Sequence, residues 1–161
     1  MIGVETDVSG EWDSRTDWLA LARSAVHAAV AHSRHASLSD SEVSVKFTSD
    51  DEVRSLNAAW RGKDEPTNVL SFPMADEAEL ASAQLLGDIV LAHGVCAGEA
   101  ADRQVPVETH AAHLVVHGML HLLGYDHETS DADAEEMEEA ERRALASIGI
   151  ADPYHVTEVQ P

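Results

Sequence analysis

The chain has 161 residues, 44% hydrophobic and 25% charged, which suits one soluble globular domain with its own core. A formal net charge of −20 disfavours nonspecific binding to nucleic acid, whose phosphates attract Lys and Arg. A single cysteine, Cys96, excludes an intrachain disulfide, and no stretch approaches the roughly 18 apolar residues of a membrane span.

In chain order, IGVETDV alternates apolar and polar residues and predicts a first strand. Asp17 to Ala36 is Ala-rich, with apolar residues at helical spacing, and predicts a helix. SEVSVKFTS alternates again, with Val43, Val45 and Phe47 on one face of a second strand. Ser49-Asp50-Asp51-Glu52 has the pattern of a capping box and opens a short helix through Val53, Leu56, Asn57 and Trp60. Gly62 closes that helix, and Pro66 keeps the following stretch extended. TNVLSFP predicts a third strand ended by Pro73, and MADEAELASAQ a surface excursion. LLGDIVLA, Leu85 to Ala92, is apolar enough for a central strand. Helices are predicted over Gly94 to Arg103, Val107 to Leu123 and Asp131 to Ser147, the last with Met137, Ala140, Ala144 and Leu145 inward. Four strands and about five helices in mixed order predict a single α+β domain, a sheet with helices on its faces. Aromatics are only 4%, so Ala, Val and Leu fill most of the core, and Cys96 reads as a small buried hydrophobe.

Charge is unevenly spread. Asp126 to Glu141 carries nine acids and no Lys or Arg, and reads as a solvated helix face that says little about an active site. Glu42 to Pro73 is nearly balanced, with six acids against Lys46, Arg54, Arg61 and Lys63. The N-terminus lacks a basic segment ahead of an apolar run, so no signal peptide is expected and the expected location is the cytoplasm.

HGMLHLLGYDH holds the strongest chemical signal. His110, His113, His117 and His121 fall on one helix face, so several pairs could hold a metal. Three histidines of one straight helix could not, because His113 and His121 are separated by about 12 Å of rise. A third ligand must come from chain that turns back, and Gly124 supplies the turn that returns His127 toward His117 and His121. Three histidines leave an open coordination position, the mark of a catalytic zinc. His110 and His113 are then expected to be supporting or solvent-facing. Gly118 stands where a zinc peptidase carries its glutamate, so the charge on the substrate must be balanced from elsewhere. Arg61, in AAWRGKDEPTNVLSFP, offers a planar fork for phosphate. It equally fits a cation favoured by a helix C-terminus.

The segments LNAAWRGKDEPTNVLSFP, LLGDIVLA, HGMLHLLGYDHETSDADAEEMEEAE and GIADPY together resemble the YbeY family of bacterial endoribonucleases, over roughly Val43 to Tyr154. The resemblance implies a mixed four-stranded sheet around a central helix that bears the metal. It implies that His117, His121 and His127 ligate one Zn2+ per chain and that Arg61 acts in catalysis. It also implies cleavage of single-stranded RNA in maturing the 3′ end of 16S ribosomal RNA and in ribosome quality control. Partners would be ribosomal RNA, the small subunit and its assembly proteins, with no membrane and no DNA. Asp88 matches a family position and could orient a ligand histidine. Two rivals remain open on the residues alone: a zinc peptidase or amidohydrolase, and a ribosome-assembly factor with a structural metal site.

Overall fold

Strand β1 (Gly3–Val8), β2 (Glu42–Thr48), β3 (Val69–Pro73) and β4 (Leu85–Ala92) form one sheet in the order β1-β2-β4-β3. The first two and β4 run parallel, and β3 closes the edge antiparallel to β4. Five helices accompany them: α1 (Trp18–Ala31), α2 (Asp50–Arg61), α3 (His93–Arg103), α4 (Val107–Leu122) and α5 (Asp131–Ser147). The computed structural model describes residues 1–126 and 129–151. The mixed α+β sheet predicted from the sequence is therefore observed.

Pleating sorts the sheet into two unequal faces. Val43, Val45, Phe47, Ile89 and Leu91 point to the main core, where α1 and α4 pack. Each fully buried Val, Leu or Phe side chain there stabilises by about 1.5–3 kcal/mol. Ala22, Ala25 and Ala29 are buried on α1, and their small side chains suit the close packing of α1 against α4. Trp12 fills one end, edge-on to Trp18 and Phe47, with its indole N–H donating to the Thr48 carbonyl at 2.9 Å. Helix α4 is buried on nearly every side, which makes it the central helix. The opposite face carries α2 and a small cluster of Val53, Leu70, Val90 and Ala92, and stays partly open.

Three expectations change. Helix α1 stops at Ala31, short of Ala36. The Ser33 hydroxyl donates to the Val30 carbonyl and accepts from the His35 N–H, so local side-chain bonds replace further helix. The excursion after β3 contains a 3₁₀ helix, Glu77–Ser82, anchored by buried Leu80. Asp88 is exposed on the face away from α4, because its neighbour Ile89 takes the inward position. It lines a cleft with Lys46 and Trp60 and cannot orient a histidine of α4. Among the described residues, no helix is long and apolar enough to cross a membrane.

Candidate active site

Helix α4 brings His117 and His121 to one cleft, one turn apart, with their Nε2 atoms 3.2 Å apart. The carboxylate that steadies them comes from α5. Glu141 is fully buried, accepts the His117 Nδ1–H at 2.8 Å on one oxygen and the His113 Nε2–H at 2.8 Å on the other. Burial alone would raise the Glu141 carboxyl, but the hydrogen bonds from His113 and His117 outweigh it and hold it well below the usual carboxylate range. Donation from Nδ1 fixes the His117 tautomer, so its Nε2 presents a lone pair on the side of His121. Two imidazole nitrogens at this distance suit a shared proton or a shared cation.

Gly118 answers to packing. A Cβ there would meet Ile89 Cγ2 at 2.9 Å and Ser71 Oγ at 3.0 Å. The helix therefore lies close on β3 and β4, and the Ser71 hydroxyl donates to the Gly118 carbonyl at 3.2 Å. Any side chain at this position would have to displace Ile89 or Ser71.

The facing wall is the loop from α2 into β3. Half of the expected capping box is formed: the Ser49 hydroxyl accepts from the Glu52 N–H at 3.2 Å, while the Glu52 carboxylate turns to Lys46 and Thr48 instead of back to Ser49. Gly62 ends α2 in the left-handed region, φ 71°, and its N–H returns to the Ala58 carbonyl. This leaves Arg61 exposed in the last turn, where its side chain lines the cleft with Thr67, Asn68, Ser71, His117 and His121. The cleft has a volume of about 600 Å³. Among the described residues, the Arg61 side chain has no ion pair or hydrogen bond, whereas Arg54 is held by Asp64 at 2.8 Å and Lys46 by Glu52 at 2.6 Å. Asn68 is fixed from behind: its amide donates to Glu99 at 3.1 Å, which also accepts the His110 Nε2–H at 2.7 Å. Burial pushes His110 down, against the raising effect of Glu99.

Gly124 has φ 97°, the positive value expected for the turn after α4. Arg34 holds this turn. Its guanidinium lies 4.0 Å over the Tyr125 ring, donates to the Gly124 carbonyl at 3.3 Å, and pairs with Glu77 and Glu136. The structure thus unites His117, His121 and Arg61 at one cleft, while the third expected ligand, His127, lies outside the described residues. Among the described residues, no group of three His, Cys, Asp or Glu is placed to hold a metal. His110 and His113 are buried supports and do not face solvent.

Sequence reasoning missed Glu141 and Glu99. Glu141 sits in the acidic run read as solvated, yet it is the member in helical register with Met137, Ala140, Ala144 and Leu145. A carboxylate on an otherwise apolar stripe was the available signal.

A family model described as Endoribonuclease YbeY matches residues 7–149. A protein of Novosphingobium aromaticivorans named Endoribonuclease YbeY is 52% identical over 95% of this chain and 96% of its own length. One of the same name from Rhizorhabdus wittichii is 50% identical over 98% of this chain and 99% of its own. The solution structure of TM1509 from Thermotoga maritima superposes with a TM-score of 0.61 at 28% identity, covering 92% of this chain and 89% of that one.

Proposed function

We propose, because this chain belongs to the endoribonuclease YbeY family, that it is a zinc-dependent endoribonuclease that cuts single-stranded RNA. Its setting in this reading is the cytoplasm, where it matures the 3′ end of 16S ribosomal RNA and serves ribosome quality control. Ribosomal RNA, the small subunit and its assembly proteins are the partners.

The observation that carries the reading is one cleft with paired imidazoles on one wall and, on the other, an exposed guanidinium that is unpaired among the described residues. His117, His121 and His127 would hold one zinc ion. The donor set fits: zinc–nitrogen bonds of about 2.0–2.1 Å at a tetrahedral angle put two ligand nitrogens roughly 3.3–3.4 Å apart, against 3.2 Å for His117 and His121. Zinc bound there supplies a Lewis acid and lowers the pKa of water to about 7. The chain's own groups do the rest. Glu141 orients His117 through Nδ1. Arg61 offers two parallel N–H donors to a phosphate and balances charge that grows on its oxygens. Asn68, locked by Glu99, presents a fixed polar edge beside it.

The peptidase reading loses support, since Gly118 packs against the sheet and the relatives' names specify RNA cleavage. The test uses purified protein, stripped by chelator and reloaded with zinc, on labelled single-stranded RNA, duplex RNA and a peptide. Cleavage should be confined to single-stranded RNA and return with zinc. Arg61→Ala should keep its zinc content and lose about 10²–10³ in kcat. Chelator-insensitive RNA cleavage, or peptide hydrolysis, would overturn the reading.

A further inference from the structure

We infer that Trp60 is a stacking platform for one unpaired nucleobase flanking the phosphate held at Arg61, an inference that rests on the cleft being an RNA-cutting site. Trp60 is 72% exposed, against 2% for Trp12 and 4% for Trp18. A large aromatic left in water beside a catalytic cleft is a feature that core packing does not explain.

Its place in the fold gives it a direction. Arg61 and Trp60 are consecutive, and near-100° rotation between helical neighbours aims them at different clefts. Arg61 lines the histidine cleft, and Trp60 lines a second of about 700 Å³ on the open face of the sheet. The ridge between them is β3. Its alternation turns Ser71 toward the first cleft and Phe72 toward the second, and Pro73 borders both. An extended strand that crosses the ridge at Pro73 passes from the Arg61 cleft to the Trp60 cleft.

The second cleft accepts a base and refuses a backbone. Trp60 stands edge-on to Phe72 at 6.3 Å, which steadies its ring, and Leu56 and exposed Met74 extend the apolar floor. The other wall carries Glu5, Asp7, Glu52 and Asp88, with Lys46 already paired to Glu52. Those carboxylates repel phosphate, so the strand keeps its backbone on the Arg61 side and inserts only the neutral base. A duplex cannot do this, because its bases are paired and stacked. The platform also shows how a chain of net charge −20 can hold RNA: stacking is insensitive to the sign of the surface.

The experiment has three arms. With a short single-stranded RNA, Trp60→Ala should raise KM about 5- to 150-fold, the equivalent of one lost base stack, with kcat little changed. Trp60→Phe should restore most of the affinity. A single abasic residue walked along the RNA should raise KM for the wild type at one position next to the cut, and Trp60→Ala should be blind to that position. In the unaltered, zinc-stripped protein, the same RNA should quench tryptophan emission, with the abasic RNA quenching less. If the wild type cuts RNA but KM is unchanged by Trp60→Ala and by every abasic position, the platform is refuted and the cleavage reading stands. That result would leave the patch to a protein partner. If the wild type cuts no RNA, the cleavage reading itself falls, and absence of quenching then removes the platform as well.

Discussion

Glu141 shows how much one side chain can carry. Its two oxygens, fully buried, serve two histidines of another helix at 2.8 Å each. Glu141→Ala leaves the buried His113 donor and the half-buried His117 donor without this acceptor, at about 1–3 kcal/mol for the buried one. The melting temperature should fall by at least several degrees, and zinc affinity by chelator competition should drop about 10- to 100-fold. A variant with wild-type values for both would remove Glu141 from the support of the site. Cys96 is the opposite case, a reactive group silenced by its surroundings. Burial, reinforced by Glu99 and Glu108, pushes its thiol up to about 12. At pH 8 the native protein should not react with a disulfide reagent, and denaturant should release one thiol per chain. Between pH 9 and about 12 the unfolded chain loses this proton while the folded one keeps it, so the group subtracts stability as pH rises. Rapid labelling of native protein at pH 8 would contradict the burial.

Helix α2 is the element whose ends were legible residue by residue. Ser49, the acids that follow it and Gly62 stand at the positions a capped helix favours, and Asp50 and Glu52 also bond outside the helix, to the Val95 N–H and to Lys46. Its C-terminal end sets the direction of Trp60 and Arg61, so its two caps should differ in consequence. An added Cβ at Gly62 would meet nothing within 4 Å, so Gly62→Ala pays only for its positive φ, about 1–2 kcal/mol. Ser49→Ala costs a similar amount, about 1 kcal/mol, at the remote end. Thermal melts should therefore show comparable losses, while RNA cleavage falls further for Gly62→Ala. Equal activity in the two variants would mean that Arg61 holds its direction without the cap. Helix α1 was less legible at its end, since Ala-rich composition continues past Ala31. Ser33 and Arg34 stop it through partners that include Tyr125 and Glu77, far away in sequence.

Over the whole molecule, acidity and substrate pull in opposite directions. Lys46, Arg54 and Arg34 are tied to carboxylates, whereas Arg61 and Lys63 have none among the described residues. Arg61 in the cleft, with Lys63 two residues on, gives at most two phosphate contacts and a shallow salt dependence, with log affinity against log salt no steeper than about −1.4 for a single strand. Titrating KM for a short RNA across about 0.05–0.3 M KCl measures it. A slope steeper than about −4 would demand cations that this cleft does not hold. The same scale separates what each source of information decided. Strand alternation, helix caps, the Gly124 turn and the His117–His121 spacing are local, governed by neighbours within a few residues, so they can be read along the chain. Glu141 on His113 and His117, Glu99 on Asn68, the pressure of Ile89 on Gly118 and the outward turn of Asp88 depend on which elements meet. Contacts between residues 24 and 31 positions apart, such as His117–Glu141 and Asn68–Glu99, have no local periodicity to betray them. Only packing of α5 on α4 and of α3 beside the sheet brings those carboxylates to their partners, and that packing selects which acids of a highly acidic chain serve the site.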